Sequence, residues 1–196
     1  DAVLVAGSFT TVRGQPRNGI ASIDRASGEP EPWNPNTDGS VDRLLLHNDK
    51  VYATGPFDNV AGTPRSGAMN VSATTGTVEA WNPAPTGTVN RMQACGPAII
   101  LGGNLTEVGG QPRDATAAVN AATGAVLPWV TGIEGTVHDF VVSDQHAVVC
   151  MGGNFYSSSP GYPRRGIAVY GRPDCAGGSG QALPGTACDD NNPTTI

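Results

Sequence analysis

Few side chains in this sequence are suited to chemistry, and they are scattered. The densest oxygen cluster follows Cys188, where "CDDNNPTT" places Asp189, Asp190, Asn191 and Asn192 in a row. Carboxylate and amide oxygens are the ligands calcium prefers, so these four are the candidate metal ligands and calcium the one candidate cofactor. The segment lacks the alternating ligands and closing Glu of an EF-hand, and a solvated acidic turn is the competing account. His47, His138 and His146 are the three histidines; His138, His146 and Cys150 match no standard zinc spacing. The chain contains no "G-x-S-x-G", "H-E-x-x-H" or "G-x-x-x-x-G-K". No catalytic residue is therefore expected.

Arginine is the next candidate. A "G-x-P-R" tetrad occurs four times: Gly14–Arg17, Gly62–Arg65, Gly110–Arg113 and Gly161–Arg164. A residue present in every copy of a repeat usually serves the repeat, so Arg17, Arg65, Arg113 and Arg164 are expected to hydrogen-bond loop carbonyls. Their alternative role is a set of cations that captures an acidic glycan. Asp42, Asn90 and His138 share one repeat position. A position that accepts all three types reads as a polar cap rather than a ligand.

The elements that position these residues follow from the period. Trp33, Trp81 and Trp129 are 48 residues apart, as are Gly28, Gly76 and Gly124, and Gly39, Gly87 and Gly135. Such a period means a repeat architecture. One copy runs through an apolar stretch at Val41–Leu46, a second at Val51–Thr54, and the polar loop "GPFDNVAGTPRSG". Alternation then resumes over Ala68–Val71, "ATTG" turns the chain, and Thr77–Trp81 is expected to be a fourth strand. No helical period competes. The fold expected is all-β: a β-propeller of 48-residue, four-stranded blades, in copies near 1–40, 41–88, 89–136 and 137–172. Nearly continuous apolar runs fit strands covered on both faces, and the repeated Trp fits the space between neighbouring blades.

Strand parity puts the long second-to-third loops and the inter-blade linkers on one face. That face would present Asp58, Asn59, Glu107, the tetrad arginines, Asp42, Asn90 and His138 to a partner. About three and a half blades are present, which would leave two apolar blade faces bare. The expected partners are the remaining blades of a longer propeller or neighbouring copies of the chain.

Residues 173–196 break the pattern and read as a Cys-bracketed linker to a further module. Cys175 and Cys188 are expected to pair in a secreted chain. Cys95 and Cys150 would either pair or stand as buried thiols. Two sequons, at Asn70 and Asn104, are candidate glycosylation sites, with Asn104 the better placed at a strand end.

Composition narrows the class. Charged residues are 14% of the chain, its net charge is −6, and Lys50 is the one lysine. Nucleic-acid binding needs clustered cations and is not expected. No run reaches the ~18 apolar residues of a membrane span.

The stretch "LVAGSFTTVRGQPRNGIASIDRASGEPEPWNPNTDGSVDRL" resembles the repeat of secreted bacterial β-propeller proteins of the delta-60 and kelch-like type. There, "GG-x-F-T-x-V-x-G-x-x-R" precedes "IA-x-L-(D/N)-x-x-(T/D)G". The likeness covers residues 1 to about 170; copy three departs at Leu105, and copy four carries "SSSPGY" and lacks the Trp strand. The tail is similar to "C-D-D-x-N-x-x-T" segments of large secreted Bacteroidetes proteins. The resemblance implies an extracellular or cell-surface scaffold, with structural rather than catalytic motifs. Three functions are expected in order: a non-catalytic module for adhesion, scaffolding or fibre assembly; a carbohydrate-binding or carbohydrate-degrading protein with active residues in other blades; and a self-assembling filament subunit pairing through open edges.

Overall fold

The computed structural model describes residues 1–143, 147–157 and 164–173. Every regular element among them is a β-strand. The first sheet pairs β1 (Ala2–Ala6) with β4 (Ile20–Asp24), and a small hairpin, β2 (Thr11–Val12) and β3 (Gln15–Pro16), lies in the loop between them. The second sheet runs β5 (Arg43–His47), β6 (Lys50–Thr54) and β9 (Ala68–Ser72), with the hairpin β7 (Asn59–Val60) and β8 (Thr63–Pro64) in the matching loop. The third is built from β10 (Pro85–Cys95), β11 (Ala98–Val108) and β13 (Thr116–Asn120), with β12 (Gln111–Pro112) folding back on the end of β11. The fourth joins β14 (Ile133–Ser143), β15 (Val148–Ser157) and β16 (Arg164–Gly171). All pairings are antiparallel and follow chain order.

The expected fourth strand is the main correction. Thr77–Trp81 forms one isolated bridge, Val71 with Val78, and two backbone bonds to β9. The same single bridge recurs as Ile23 with Pro30 and Val119 with Val126. Proline explains part of this in the first and third copies, where Pro30 and Pro32 precede Trp33 and Pro128 precedes Trp129, since proline has no N–H to give a ladder; Thr77–Trp81 itself holds none.

Alternation along each strand feeds two different cores. Ile99 and Leu101 enter a layer shared with Tyr52, Ala68 and Trp81 of the second unit. Ile100, between them, enters the layer shared with Phe140, Val149 and Met151 of the fourth sheet. A third layer joins Leu4, Ala6, Ile20 and Trp33 to Val51, Ala53, Met69 and Val71. Four sheets are thus stacked in chain order, with an apolar layer between each successive pair. Period-two alternation and near-continuous hydrophobicity are both satisfied, because both faces of the inner sheets are covered.

Hydrogen bonds cross the same three junctions. Trp33 Nε1 donates to Ser72 O at 3.0 Å, Trp81 Nε1 to Asn120 O at 3.1 Å, and Trp129 Nε1 to Gly171 O at 2.9 Å. Each indole therefore fills its layer and anchors the end of the next sheet's third strand. That is the inter-sheet packing role expected from the 48-residue spacing, with a hydrogen-bonded anchor added.

Candidate functional site on the long-loop face

The long loops are more ordered than their polarity implies. Arg13–Gly14, Ala61–Gly62 and Gly109–Gly110 each hold two successive residues at positive φ, the requirement of a type I′ hairpin. The short arms β2–β3, β7–β8 and β11–β12 result. The tetrad arginines lock these hairpins down. Arg17 donates to Pro16 O at 2.7 Å and Glu31 O at 2.6 Å. Arg65 repeats this with Pro64 O and Glu79 O, both at 2.7 Å, and Arg113 with Pro112 O at 2.7 Å and Leu127 O at 3.3 Å. Each guanidinium ties the hairpin to the segment that leads to the Trp. Three of the four arginines are thus engaged with carbonyls and do not form a cation set. Arg164 opens β16, and the Gly161–Pro163 part of its tetrad lies outside the described residues.

The position shared by Asp42, Asn90 and His138 is a bulge in the third and fourth sheets and precedes β5 in the second. In the third sheet the register slips between Val89 and Arg91, and in the fourth between Val137 and Asp139, leaving Asn90 and His138 outside the ladder. Arg43 Nε donates to Asn90 O at 2.6 Å, and Asn90 Nδ2 donates to Val137 O at 2.9 Å, so this row links sheets. Asp42 and His138 are exposed there.

Asp38 organises one junction. Its carboxylate accepts from the N–H groups of Asp58 and Asn59, both at 2.9 Å, and from Asn59 Nδ2 at 2.7 Å. The Asn59 side chain, then the two backbone donors, hold this carboxyl below its ordinary value of 3.8. Asp58 and Glu107 are exposed on the same face, and Asn59 is half-buried.

A cavity of about 440 Å³ opens beside Asp38. Ser8, Phe9 and Thr10 line it from the loop after β1, Asn18 from the approach to β4, and Thr37–Ser40 from the linker to the second sheet. A second cavity, about 350 Å³, is lined by Asn154, Phe155, Tyr156 and Arg165 among others. Asn154, Phe155 and Tyr156, near the end of β15, hold the repeat position of Ser8, Phe9 and Thr10 after β1, and Arg165 follows the fourth Pro-Arg as Asn18 follows the first. The Arg165 guanidinium lies 4.7 Å over the Tyr156 ring. One repeat position thus builds two cavities of different chemistry: carboxylate, amide and hydroxyls in the first, cation and aromatic ring in the second. Both volumes fall in the ~300–1,000 Å³ range of small-molecule sites.

No family model, curated protein or solved structure matches this chain. The chemistry of the two cavities therefore has to be read from their own residues. Each sets a Phe beside hydrogen-bonding groups on a scaffold of paired strands. That combination suits a polyhydroxylated ligand, which offers an apolar ring face and many hydroxyls.

The remaining candidate residues are spread out. His47 lies near the opposite, short-turn face, with Nε2 3.1 Å from Gly96 O. Among the described residues no three His, Cys, Asp or Glu side chains are grouped to hold a metal. His146, and the candidate calcium ligands Asp189, Asp190, Asn191 and Asn192, lie outside the described residues, as do Cys175 and Cys188. Cys95 is disulfide-bonded, and Cys150 lies half-buried in β15 outside that bond, so these two do not pair with each other. Asn70 is completely buried in β9 beside Glu79, which removes it as a glycan acceptor in the folded chain; Asn104 is exposed on β11. The cavities are not legible in the sequence because each draws its walls from separate segments, residues 8–10, 18 and 37–40 in the first and 153–156 and 165–166 in the second. The one signal was the recurrence of Phe after the second strand.

Proposed function

We propose that this chain is a non-catalytic, extracellular β-propeller module that binds a carbohydrate-type ligand on its long-loop face and serves adhesion or scaffolding. In this reading the four stacked sheets are blades about a common axis, and the segments carrying Trp33, Trp81 and Trp129 are the outer edges of the blades. Loops on such a rigid stack carry binding, because the strands fix their ends. The observation that carries the reading is the cavity beside Asp38. Phe9 gives it an apolar wall, and Ser8, Thr10, Asn18 and Ser40 give hydrogen-bonding groups held by paired strands and the Asp38 cap. The Cys95 disulfide supports an oxidising compartment, as does the low share of charged residues. Glycan-array screening followed by calorimetric titration is the test. Binding that falls at least about tenfold in Phe9→Ala and Asn18→Ala is the expected result. No binding to any neutral or acidic glycan, or binding indifferent to both substitutions, overturns it.

A further inference from the structure

Over the strands that all four sheets share, the two end faces of the stack carry the same residue pattern as the faces buried inside it; the first sheet has no strand matching β5, β10 and β14. Each sheet has a trailing face, which meets the sheet before it, and a leading face, which meets the sheet after it. The trailing faces of the second, third and fourth sheets present Val51, Ile99 and Val149 at one position, and Val71, Val119 and Tyr170 at another. The first sheet has Val3 and Ile23 at these positions, directly opposite each other in the ladder, and Val5 where the others have Ala53, Leu101 and Met151. Val3 is 45% exposed. Leu4, Ala6 and Ile20 face the other way, into the first layer.

The leading face of the fourth sheet has the corresponding character. Val141 stands where the second sheet places Leu45, and Ile167 where it places Ala68; both of those pack into the next layer. Val141 is 54% exposed and Ile167 64% exposed. Val169, in line with them across the sheet, occupies the place of Ala118, which is buried in the layer between the third and fourth sheets. What covers such a face is on display three times within the chain: a leading face always receives a trailing face of the same repeat.

We propose that the leading face of the fourth sheet docks the trailing face of the first sheet of a second copy, so that copies join head to tail. The contact continues the internal stacking, with aliphatic side chains on both sides and no like-charged row to oppose it. Such a junction is heterologous: it closes into a ring if the rotation per copy allows and extends as a chain if it does not. Two copies, each with four stacked sheets apart from the small loop hairpins, would close a ring of eight such sheets, within the ~4–8 blades of known propellers. The inference rests on the stacking and not on the ligand in the long-loop cavity. Association without glycan binding, or glycan binding by a monomer, separates the two.

The test is sedimentation equilibrium of the full chain and of two variants, Val3→Asp and Ile167→Asp, each placing a charge on one end face only. Circular dichroism melts check that both variants remain folded, as their exposed positions lead one to expect. The wild type is expected to self-associate, and each variant alone to associate at least about tenfold more weakly. An equimolar mixture of the two variants is expected to form a one-to-one complex, since Val3→Asp keeps a native leading face and Ile167→Asp a native trailing face. A wild type that stays monomeric at all concentrations, as it would if another segment or protein covers these faces, overturns the proposal. So does a single variant that still dimerises as well as the wild type, which would mean that like faces pair.

Discussion

Trp81 contributes in two separable ways. Its indole is completely buried against Tyr52, whose ring meets it edge-on with centroids 5.0 Å apart, and its Nε1 donates to Asn120 O in the next sheet. Trp81→Ala is expected to cost about 3–5 kcal/mol, the range for emptying a large buried aromatic site. Trp81→Phe keeps most of the body but leaves the Asn120 carbonyl short of one donor, and about 1 kcal/mol is the expected cost. Urea melts of both variants distinguish packing from anchoring. The acidic caps act through charge. Asp24 accepts from the Ser27 hydroxyl at 2.7 Å and from the Ser27 and Ala26 N–H groups, and the Ser27 side chain leads in lowering its pKa below 3.8. Asp38 is lowered by its Asn59 and Asp58 donors. A carboxyl with a depressed folded pKa stabilises the fold fully above its unfolded pKa, and that contribution is lost as pH falls through the folded value. Carboxyl NMR titration should therefore show Asp24 and Asp38 protonating below 3.8. The acid arm of the stability curve should flatten in Asp38→Asn.

Strand crossings set the tolerance of the turns. A Cβ built on Gly39 would lie 1.9 Å from Pro56 O, and one on Gly55 would lie 2.2 Å from Ser40 O. These two glycines let the start of one sheet's first strand cross the end of its second, and Gly87 with Gly103, then Gly135 with Gly153, repeat the crossing. Gly14, by contrast, has open space around its Cβ position and only a left-handed φ of 75° to satisfy. Gly39→Ala is expected to cost about 3 kcal/mol or more, because backbone has to move. Gly14→Ala should cost about 1–2 kcal/mol, the strain of a left-handed residue alone. Thermal melts rank them. Neighbouring strand residues should report on different layers. Ile99→Ala and Ile100→Ala should each cost about 2–5 kcal/mol. Amide exchange should quicken in β5, β6 and β9 for Ile99→Ala, and in β14 and β15 for Ile100→Ala.

Across the full chain, each sheet packs mainly on its sequence neighbours, the condition for approximately additive repeat energetics. Removing residues 41–88 should bring Leu4, Ala6 and Ile20 of the first sheet against Met92, Ile99 and Leu101 of the third, a layer of the same chemistry. The deletion variant is expected to fold with β-type circular dichroism and a single, lower melting transition. A chain that loses its structure instead would mean that the layers are not interchangeable. Recurrence at 48 residues made the sheets legible, together with the burial of Trp33, Trp81 and Trp129 and the structural use of Arg17, Arg65 and Arg113. These depend on residue type at a fixed interval, and each copy repeats the same local physics. The fourth strand departs from its expectation: Thr77–Trp81 alternates like a strand and contains no proline, yet it makes one bridge with the neighbouring strand. The two cavities were not visible, since the segments around the second and third strands, joined in the first cavity by the linker, meet only once the sheets are folded. Sequence alone determined the repeat, the all-β character of each copy and the burial of the recurring Trp, because those follow from period-two alternation, turn chemistry and residue type at a fixed interval. Folding in three dimensions decided which side chains face which neighbour, what the loop walls enclose, and that Val3, Val141 and Ile167 hold on the first and fourth sheets positions that the inner junctions bury.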